Sequence, residues 1–445
     1  MTLTQRPYQR HGTKFLLDAE RAVLADEPGV GKTNQLLLAA RGRTLVLSPA
    51  ALSDVWAEEI ERWQPDAEFT WVSYGGLCKR VWNKKHTARS VVVPLLREDL
   101  DARWDTIIAD EAHYLKNRQT NWTKVVSTKL KSDRLYLATG TPMPNWGHEI
   151  FMFLRLLYPG DKRFSNYWNW VNDHFKQWKP PWGGTDVQGL LRGLTWEQVS
   201  EEWGLVNRWL RREMDDVLPD LPPMTEQSIK VQMTTKQAEA YRRLKKEWLT
   251  HLPETGKEVV SWNDGGIHQK LLQCSTGLST LDLDEKSDNS GKLDVAEELV
   301  RERTHPVLLF CIYKNSAEAT ARRMRKLNKD VGVVSSNYSM RDRLEEIRRF
   351  RNGDYHSLVG TIGTMAEGHT LTRADTCIFI ERSPRPASNH QARRRIRRFG
   401  QERPTLSIDL ITESTVDGAL SKLIEQKTKE VDLALTGLQL AALST

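Results

Sequence analysis

The chain reads as an α/β protein: two parallel-sheet lobes with helical protrusions inserted between them. Three observations predict this. Short apolar runs alternate with helical periodicity through the first third, the alternation returns in the last third, and the stretch between them differs in composition. The first-third runs are Leu45-Val46-Leu47-Ser48, Val91-Val92-Val93, Thr106-Ile107-Ile108-Ala109 and Leu135-Tyr136-Leu137-Ala138. Between them, Leu52, Val55, Trp56, Glu59, Ile60 and Trp63 recur at three- and four-residue spacing, as on one helix face. The last-third runs are Val307–Phe310, Val331–Val334, Leu358-Val359, Cys377–Ile380 and Leu406–Ile408. The middle is rich in Trp, Pro and charge and poor in strand-like runs. It carries breaks at Lys179-Pro180-Pro181-Trp182-Gly183-Gly184 and Pro219-Asp220-Leu221-Pro222-Pro223. The expected division is a first lobe at 1–158, a Trp-rich helical protrusion and lobe connection at 159–225, a second helical protrusion and linker at 226–290, and a second lobe at 291–445. Val416, Leu420, Leu423, Ile424, Val431 and Leu435 predict a closing amphipathic helix.

At 445 residues the chain has room for about three structural units. Hydrophobic residues make up 39% and charged residues 28%, as in a core-forming protein. The formal charge of +7 is modest, so what matters is where the cations sit. No apolar run reaches membrane-spanning length, and the first residues are too polar for a signal peptide, which argues against membrane and secreted classes. The four cysteines (Cys78, Cys274, Cys311, Cys377) form no C-x-x-C pair, against a zinc knuckle or disulfide framework and in favour of a reducing compartment.

Chemistry concentrates in three segments. Ala25-Asp26-Glu27-Pro28-Gly29-Val30-Gly31-Lys32-Thr33 follows the apolar Ala22-Val23-Leu24 and precedes a helical run. Gly29 and Gly31 let backbone N–H groups turn inward around a polyphosphate. Lys32 would neutralise the β- and γ-phosphates, and the Thr33 hydroxyl would hold Mg²⁺. The general form of this loop wants Gly where Asp26 stands. The second segment is a strand ending in Asp110-Glu111-Ala112-His113, where Asp110 suits the magnesium shell and Glu111 the attacking water. The third, Gln391 to Gln401, holds five arginines on an expected short helix, with Arg395 and Arg398 three apart on one face. Arginines so placed stabilise charge developing on a γ-phosphate; a basic helix facing solvent or nucleic acid is the alternative.

The order of these segments resembles superfamily-two helicases, and within them the Swi/Snf-like DNA translocases, over about residues 5 to 435. Arg6-Pro7-Tyr8-Gln9 is similar to the family's adenine-reading segment, which implies Gln9 as base contact. The Asp26 form of the phosphate loop is the family's own. Leu45 to Pro49 with Trp56 and Trp63 resembles motif Ia, and Val72-Ser73-Tyr74 motif Ib, which implies Ser48, Ser73 and Tyr74 on the nucleic-acid backbone. Asp110-Glu111-Ala112-His113-Tyr114-Leu115-Lys116-Asn117 is the most specific match, through its Lys-Asn ending. Thr139-Gly140-Thr141-Pro142-Met143-Pro144-Asn145 resembles motif III, which implies that His113, Thr139 and Thr141 couple hydrolysis to movement. Arg211-Arg212 through Pro219 resembles the lobe-connecting segment, and Ser290-Gly291-Lys292-Leu293 the entry to the second lobe. Arg343, Ile347 and Phe350 match motif IVa. Thr361 to Thr372 resembles motif V, bringing Thr361 to nucleic acid and Gly368 to nucleotide, and Gln391 to Gln401 resembles motif VI, with Arg395 and Arg398 as fingers. Arg394 departs from the usual Asp, and the glycine-poor Met365-Ala366-Glu367-Gly368-His369-Thr370 is nearer the annealing-helicase, fork-remodelling branch.

The resemblance implies two RecA-like lobes, with ATP and Mg²⁺ between Lys32 and the two finger arginines. It implies an ATP hydrolase that moves on duplex or forked DNA as a monomeric motor. A strand-separating helicase and a non-catalytic DNA-binding scaffold are the alternatives. Compactness suggests a bacterial or phage enzyme, cytoplasmic in the cell or infected host. Arg322 and Arg323 are expected on the DNA, whereas the cations around Arg348 read as a solvated face. Seven of the sixteen Trp lie between Trp168 and Trp209. Most should build a core, with Trp182, flanked by Pro and Gly, the one freest to reach a base.

Overall fold

The computed structural model describes residues 4–82, 90–178, 185–250, 266–281, 289–327, 330–365 and 370–443. Its chain divides into one unit of residues 1–219 with 427–445, and a second of residues 220–426. Among the described residues no helix is long and apolar enough to cross a membrane.

In chain order the first unit contains the strands β1 (Arg21–Leu24), β2 (Thr44–Ser48), β3 (Phe69–Ser73), β4 (Cys78–Trp82), β5 (Ser90–Leu96), β6 (Arg103–Asp110), β7 (Lys131–Ala138), β8 (Phe175–Trp178), β9 (Asp186–Leu190) and β10 (Trp209–Leu210). Six of them make a parallel sheet in the order β10-β1-β7-β6-β2-β3. Every residue of β2 is buried, as expected of parallel strands covered on both faces. The predicted Val91–Val93 strand exists but leaves this sheet. It pairs antiparallel with β4 in a separate hairpin, and Pro94, with no N–H to donate, suits that edge position.

Register decides what meets at the sheet's carboxyl end. Leu24 lies opposite both Leu210 and Ala138, and Ala138 opposite Asp110. The residues just past this row therefore emerge side by side: Arg211 and Arg212, Ala25 and Asp26, Thr139, and Glu111. Parallel α/β sheets place ligand sites at this edge because their strands all end there.

The second unit contains β11 (Met224–Val231), β12 (Val307–Cys311), β13 (Val331–Val334), β14 (Ser357–Thr361), β15 (Thr376–Phe379) and β16 (Thr405–Thr412), a parallel sheet in the order β11-β16-β15-β12-β14-β13. The sequence missed β11, which lies inside the stretch read as helical protrusion. Its half-exposed pattern, with Glu226, Lys230 and other polar residues, belongs to an edge strand paired on one side. Helices of that stretch do form, at Thr235–Thr250 and Ile267–Thr276.

The tryptophans sort by burial. Trp170, Trp196, Trp203 and Trp209 join the first unit's core and do not form a separate small one. Trp170 packs against Trp203 and Phe175 in tilted pairs with ring centres 5.1 and 5.0 Å apart. The helix Tyr167–His174 that carries Trp170 starts at Asn166, whose side chain accepts from the N–H groups of Trp168 and Asn169. The closing helix, Val416–Leu443, buries Val416, Leu420 and Ile424 in the second unit's cluster. Its residues from Lys427 onward group with the first unit, where Ala434, Leu435 and Leu438 enter the core. Trp182 lies outside the described residues.

Candidate active site

The loop expected to hold phosphate runs from β1 into the helix Lys32–Ala39, whose first N–H groups have no carbonyl partner within the helix and suit an anion. Gly29 and Gly31 have φ of 96° and 78°, in the region that favours glycine. At Gly31 a Cβ would also lie 2.5 Å from Gln9 Nε2, so a side chain there would displace Gln9. Gln9 therefore sits beneath the loop. It donates from Nε2 to Val30 O at 3.3 Å and accepts from Arg6 N at 2.9 Å. Tyr8 also donates to Val30 O, at 2.9 Å. Lys32 Nζ donates to the carbonyls of Asp26 (2.8 Å) and Glu27 (3.1 Å), which draws the ammonium back over the loop.

Asp26 explains itself once the fold brings Arg212 beside it. Its fully buried carboxylate accepts from Arg212 through both oxygens, one at 3.0 Å from Nε, and Arg212 also reaches Gln35 Oε1 at 2.7 Å and Tyr8 O. Arg211 donates to Ala25 O at 2.9 Å, and buried Glu27 accepts from Met214 N at 2.8 Å. The loop is thus anchored to the segment following β10 by a paired, desolvated charge. Truncating one partner of such a pair strands the other, at a cost of about 3–5 kcal/mol. Asp26→Ala should lower the thermal midpoint accordingly, and Asp26→Ala with Arg212→Leu should recover much of the loss. A melt unchanged by the single substitution contradicts this role.

At the end of β6, Asp110 accepts from Trp56 Nε1 at 3.0 Å and from Glu111 N at 2.9 Å. Its pKa is pushed up to about 6, first by desolvation and then by the Glu111 charge, while Lys32, the Trp56 hydrogen bond and the Glu111 N–H pull the other way. Lys32 and Asp110, from two different strand ends, therefore act in one field. Tyr74 OH donates to Asp110 O at 2.7 Å, and its ring stacks on Tyr114 at 5.5 Å. Burial, followed by Asp110, raises the Tyr74 pKa well above the ordinary phenol value.

Glu111 adopts φ 49° and ψ 48°, a left-handed turn that costs a non-glycine residue about 1–3 kcal/mol and aims the carboxylate out of the strand line. Glu111 Oε2 lies 3.2 Å from His113 Nδ1 and 3.5 Å from Thr139 Oγ1. His113 Nδ1 is 3.1 Å from the same hydroxyl, which also accepts from Thr141 N at 3.1 Å. Of the three expected coupling residues, His113 and Thr139 thus reach Glu111 directly and Thr141 reaches it through Thr139. Lys116 pairs with Glu149 at 2.6 Å, and Glu149 accepts from Asn145 N (2.7 Å) and Nδ2 (2.9 Å). Burial works against the Glu149 charge, but Lys116 and Asn145 hold its pKa below the usual carboxylate value. Sequence reasoning missed Glu149, whose half-buried partner Lys116 lies 33 residues earlier in the chain.

In the second unit the helix Pro386–Arg393 ends before the fingers. Arg395 and Arg398 lie on the turns that follow, not on the expected helix face. The turns are pinned by Gln401, whose Nε2 donates to Thr372 O, Ala374 O and Ile396 O at 2.8–3.0 Å. Leu371 N donates to Arg395 O at 3.0 Å, and Arg398 donates to Arg394 O at 3.2 Å and Thr370 Oγ1 at 3.3 Å. Arg393 Nη2 instead donates to both Asp409 oxygens, at 2.9 and 2.8 Å. Buried Glu381, unmarked in the sequence, accepts from Ser316, Thr276, Ile312 N and Tyr313 N. Buried Lys292 pairs with Asp417 at 2.7 Å.

Most of the residues expected on nucleic acid have partners within the chain. Ser48 is fully buried and accepts from Trp71 Nε1 at 2.8 Å, and Tyr74 is buried behind Asp110. Ser73 Oγ caps Gly76 N, and buried Thr361 bonds Thr364 at 2.8 Å. Arg323 is drawn into ion pairs with Asp294 and Glu297. The resemblance places the first four of these, and charge the last, on nucleic acid; within the chain each also has a protein partner. Arg322 stays exposed. Gly368 lies outside the described residues.

A profile of the SNF2-related domain matches residues 8–287, and one of the helicase conserved C-terminal domain matches residues 291–400. Protein CHROMATIN REMODELING 19 of Arabidopsis thaliana is 23% identical, covering 95% of this chain and 68% of its own length. The ISWI chromatin-remodeling complex ATPase ISW1 of Saccharomyces cerevisiae is 24% identical over 96% of this chain and 40% of its own length. The DNA annealing helicase and endonuclease ZRANB3 of Mus musculus is 26% identical over 97% and 41%. The chain thus spans less than half of the latter two, and identity this even favours neither the annealing nor the remodelling branch. A Sulfolobus solfataricus SWI2/SNF2 ATPase core solved with dsDNA superposes over 100% of this chain and 95% of its own, with TM-score 0.42 and 21% identity. With the SNF2-related match covering more than half of its residues and the helicase C-terminal match following directly, this chain belongs to the SNF2-related family of ATPase and helicase proteins.

Proposed function

We propose that the chain is a DNA-stimulated ATP hydrolase that moves along duplex DNA. The observation that carries this reading is the Glu111 cluster. A carboxylate suited to orienting water is wired through His113 and Thr139 to the segment that would report hydrolysis, beside an Asp110 that feels the Lys32 charge. The donor set fits Mg²⁺, since the Thr33 hydroxyl and Asp110 carboxylate are hard oxygen ligands and the ion usually keeps waters and phosphate oxygens besides. When bound, the metal supplies neutralisation of charge on the β- and γ-phosphates. The chain's own groups do the rest. Gly29, Gly31 and the following helix offer N–H donors, Lys32 leaves its carbonyls for phosphate oxygens, and Glu111 orients the attacking water. In the same reading Gln9 and Gly368 approach the nucleotide, Arg395 and Arg398 act on γ-phosphate charge, and exposed Arg322 meets the DNA backbone.

An ATPase assay across single-stranded, blunt duplex and forked DNA tests the whole. Blunt duplex of any sequence should stimulate turnover strongly, without separation of a tailed substrate. Unwinding of that substrate would make the chain a strand-separating helicase. DNA binding with no turnover on any DNA would make it a scaffold.

A further inference from the structure

We propose that Trp168 and Arg118 form a stacking platform for an unpaired base and its phosphate on a DNA strand, a site apart from the hydrolytic cluster. The proposal rests on the DNA-motor reading. It begins with the partition of the tryptophans. Trp170, Trp196, Trp203 and Trp209 are at most 8% exposed, so the core has consumed their faces, while Trp168 on the same helix is 41% exposed. An exposed indole forgoes the burial that usually justifies so large an apolar side chain.

Its neighbour supplies the second observation. Arg118 lies two residues past Lys116, and its guanidinium stands 4.1 Å from the centre of the Tyr167 ring and 5.5 Å from that of Trp168. The two rings meet edge to face at 5.0 Å. Among the described residues Arg118 makes no ion pair, so this cation is held by aromatic faces and not by a carboxylate. The arrangement is also anchored: Asn166 Oδ1 accepts from Trp168 N at 2.9 Å. An uncompensated planar cation beside an open indole face matches a ligand that joins a π face to a negative charge. A base with its phosphate is that ligand. An acidic peptide would satisfy Arg118 and leave the indole unused.

Placement gives the site a use. Arg118 continues the Asp110–Asn117 segment, and Lys116 in that segment is tied through Glu149 to Asn145. A base seated on Trp168 would therefore bear on the chain segments around Glu111. Paired bases keep their faces stacked on one another, so a blunt duplex should pass the platform by, while a fork, gap or single strand should engage it.

The test uses the full chain, a labelled oligothymidine strand and a blunt duplex, read by fluorescence anisotropy, with duplex-stimulated ATPase measured in parallel. Trp168→Ala should weaken single-strand binding by roughly 5- to 100-fold, the worth of one aromatic–base stack. Duplex affinity and turnover should stay as in the native chain. Trp168→Phe should restore most of the affinity. Trp168→Leu, which keeps apolar bulk without a π face, should not. Arg118→Ala should weaken the strand and flatten its salt dependence by about the slope of one phosphate contact, ~0.7. Native single-strand affinity in Trp168→Leu overturns the platform, and so does equal recovery by Leu and Phe. If the native chain shows no DNA-stimulated turnover yet Trp168 still governs single-strand binding, the motor reading fails and the platform stands.

Discussion

Glu111→Gln should bind ATP as the native chain does and turn it over about 10²–10⁴ times more slowly. The amide keeps the size and the hydrogen bond to Thr139 but cannot accept the proton of an attacking water. The strained φ of 49° is set by the turn out of β6 and should survive the change, so folding and nucleotide affinity are the controls. Because His113 and Thr139 share the carboxylate, His113→Ala should slow turnover less, by loosening Glu111 while leaving the base in place. Measured turnover on saturating duplex DNA, with nucleotide affinity read separately, decides. A Gln variant with native turnover would move the base elsewhere.

Arg398→Ala should abolish stimulated hydrolysis, a loss on the order of 10³–10⁵-fold, while ATP affinity changes little. Its guanidinium donates to Arg394 O and Thr370 Oγ1, contacts that orient its planar fork. Arg398→Lys should rescue poorly, because a point charge lacks the planar fork. The opposite assignment makes a distinct prediction. If Arg398 sits on DNA, affinity for DNA and turnover should fall together, and lower salt should restore both. Arg393, five residues earlier at the end of the helix, should behave as neither. It is committed to Asp409, and its loss should register as instability.

The parts legible in the sequence are those whose physics is local. Parallel strands buried on both faces must be continuous apolar runs, so β2, β6, β7, β12 and β14 announce themselves. A phosphate loop needs glycines, a lysine and a helix start in a fixed order, and Asp110-Glu111 needs only a strand to end there. Edge strands are harder. β10 is two residues long and β11 is half polar, because an edge buries less and so constrains its residues less.

Amino-acid order alone determined the two α/β units and the family they belong to, and it named the candidate nucleotide and hydrolytic residues. Tertiary structure decided what those residues lean on. Asp26 looks like a departure from a glycine until Arg212, 186 residues away, is folded against it. Nothing in the sequence shows that Tyr74 leans on Asp110 and Ser48 on Trp71 until the sheet brings them together. Trp168 and Trp170 are indistinguishable as letters, and only packing leaves one face open and closes the other. The reason is common to all three. A motif is specified by neighbours along the chain, whereas burial and charge pairing are specified by neighbours in space, and many distant partners satisfy the same local pattern equally well until the fold selects one.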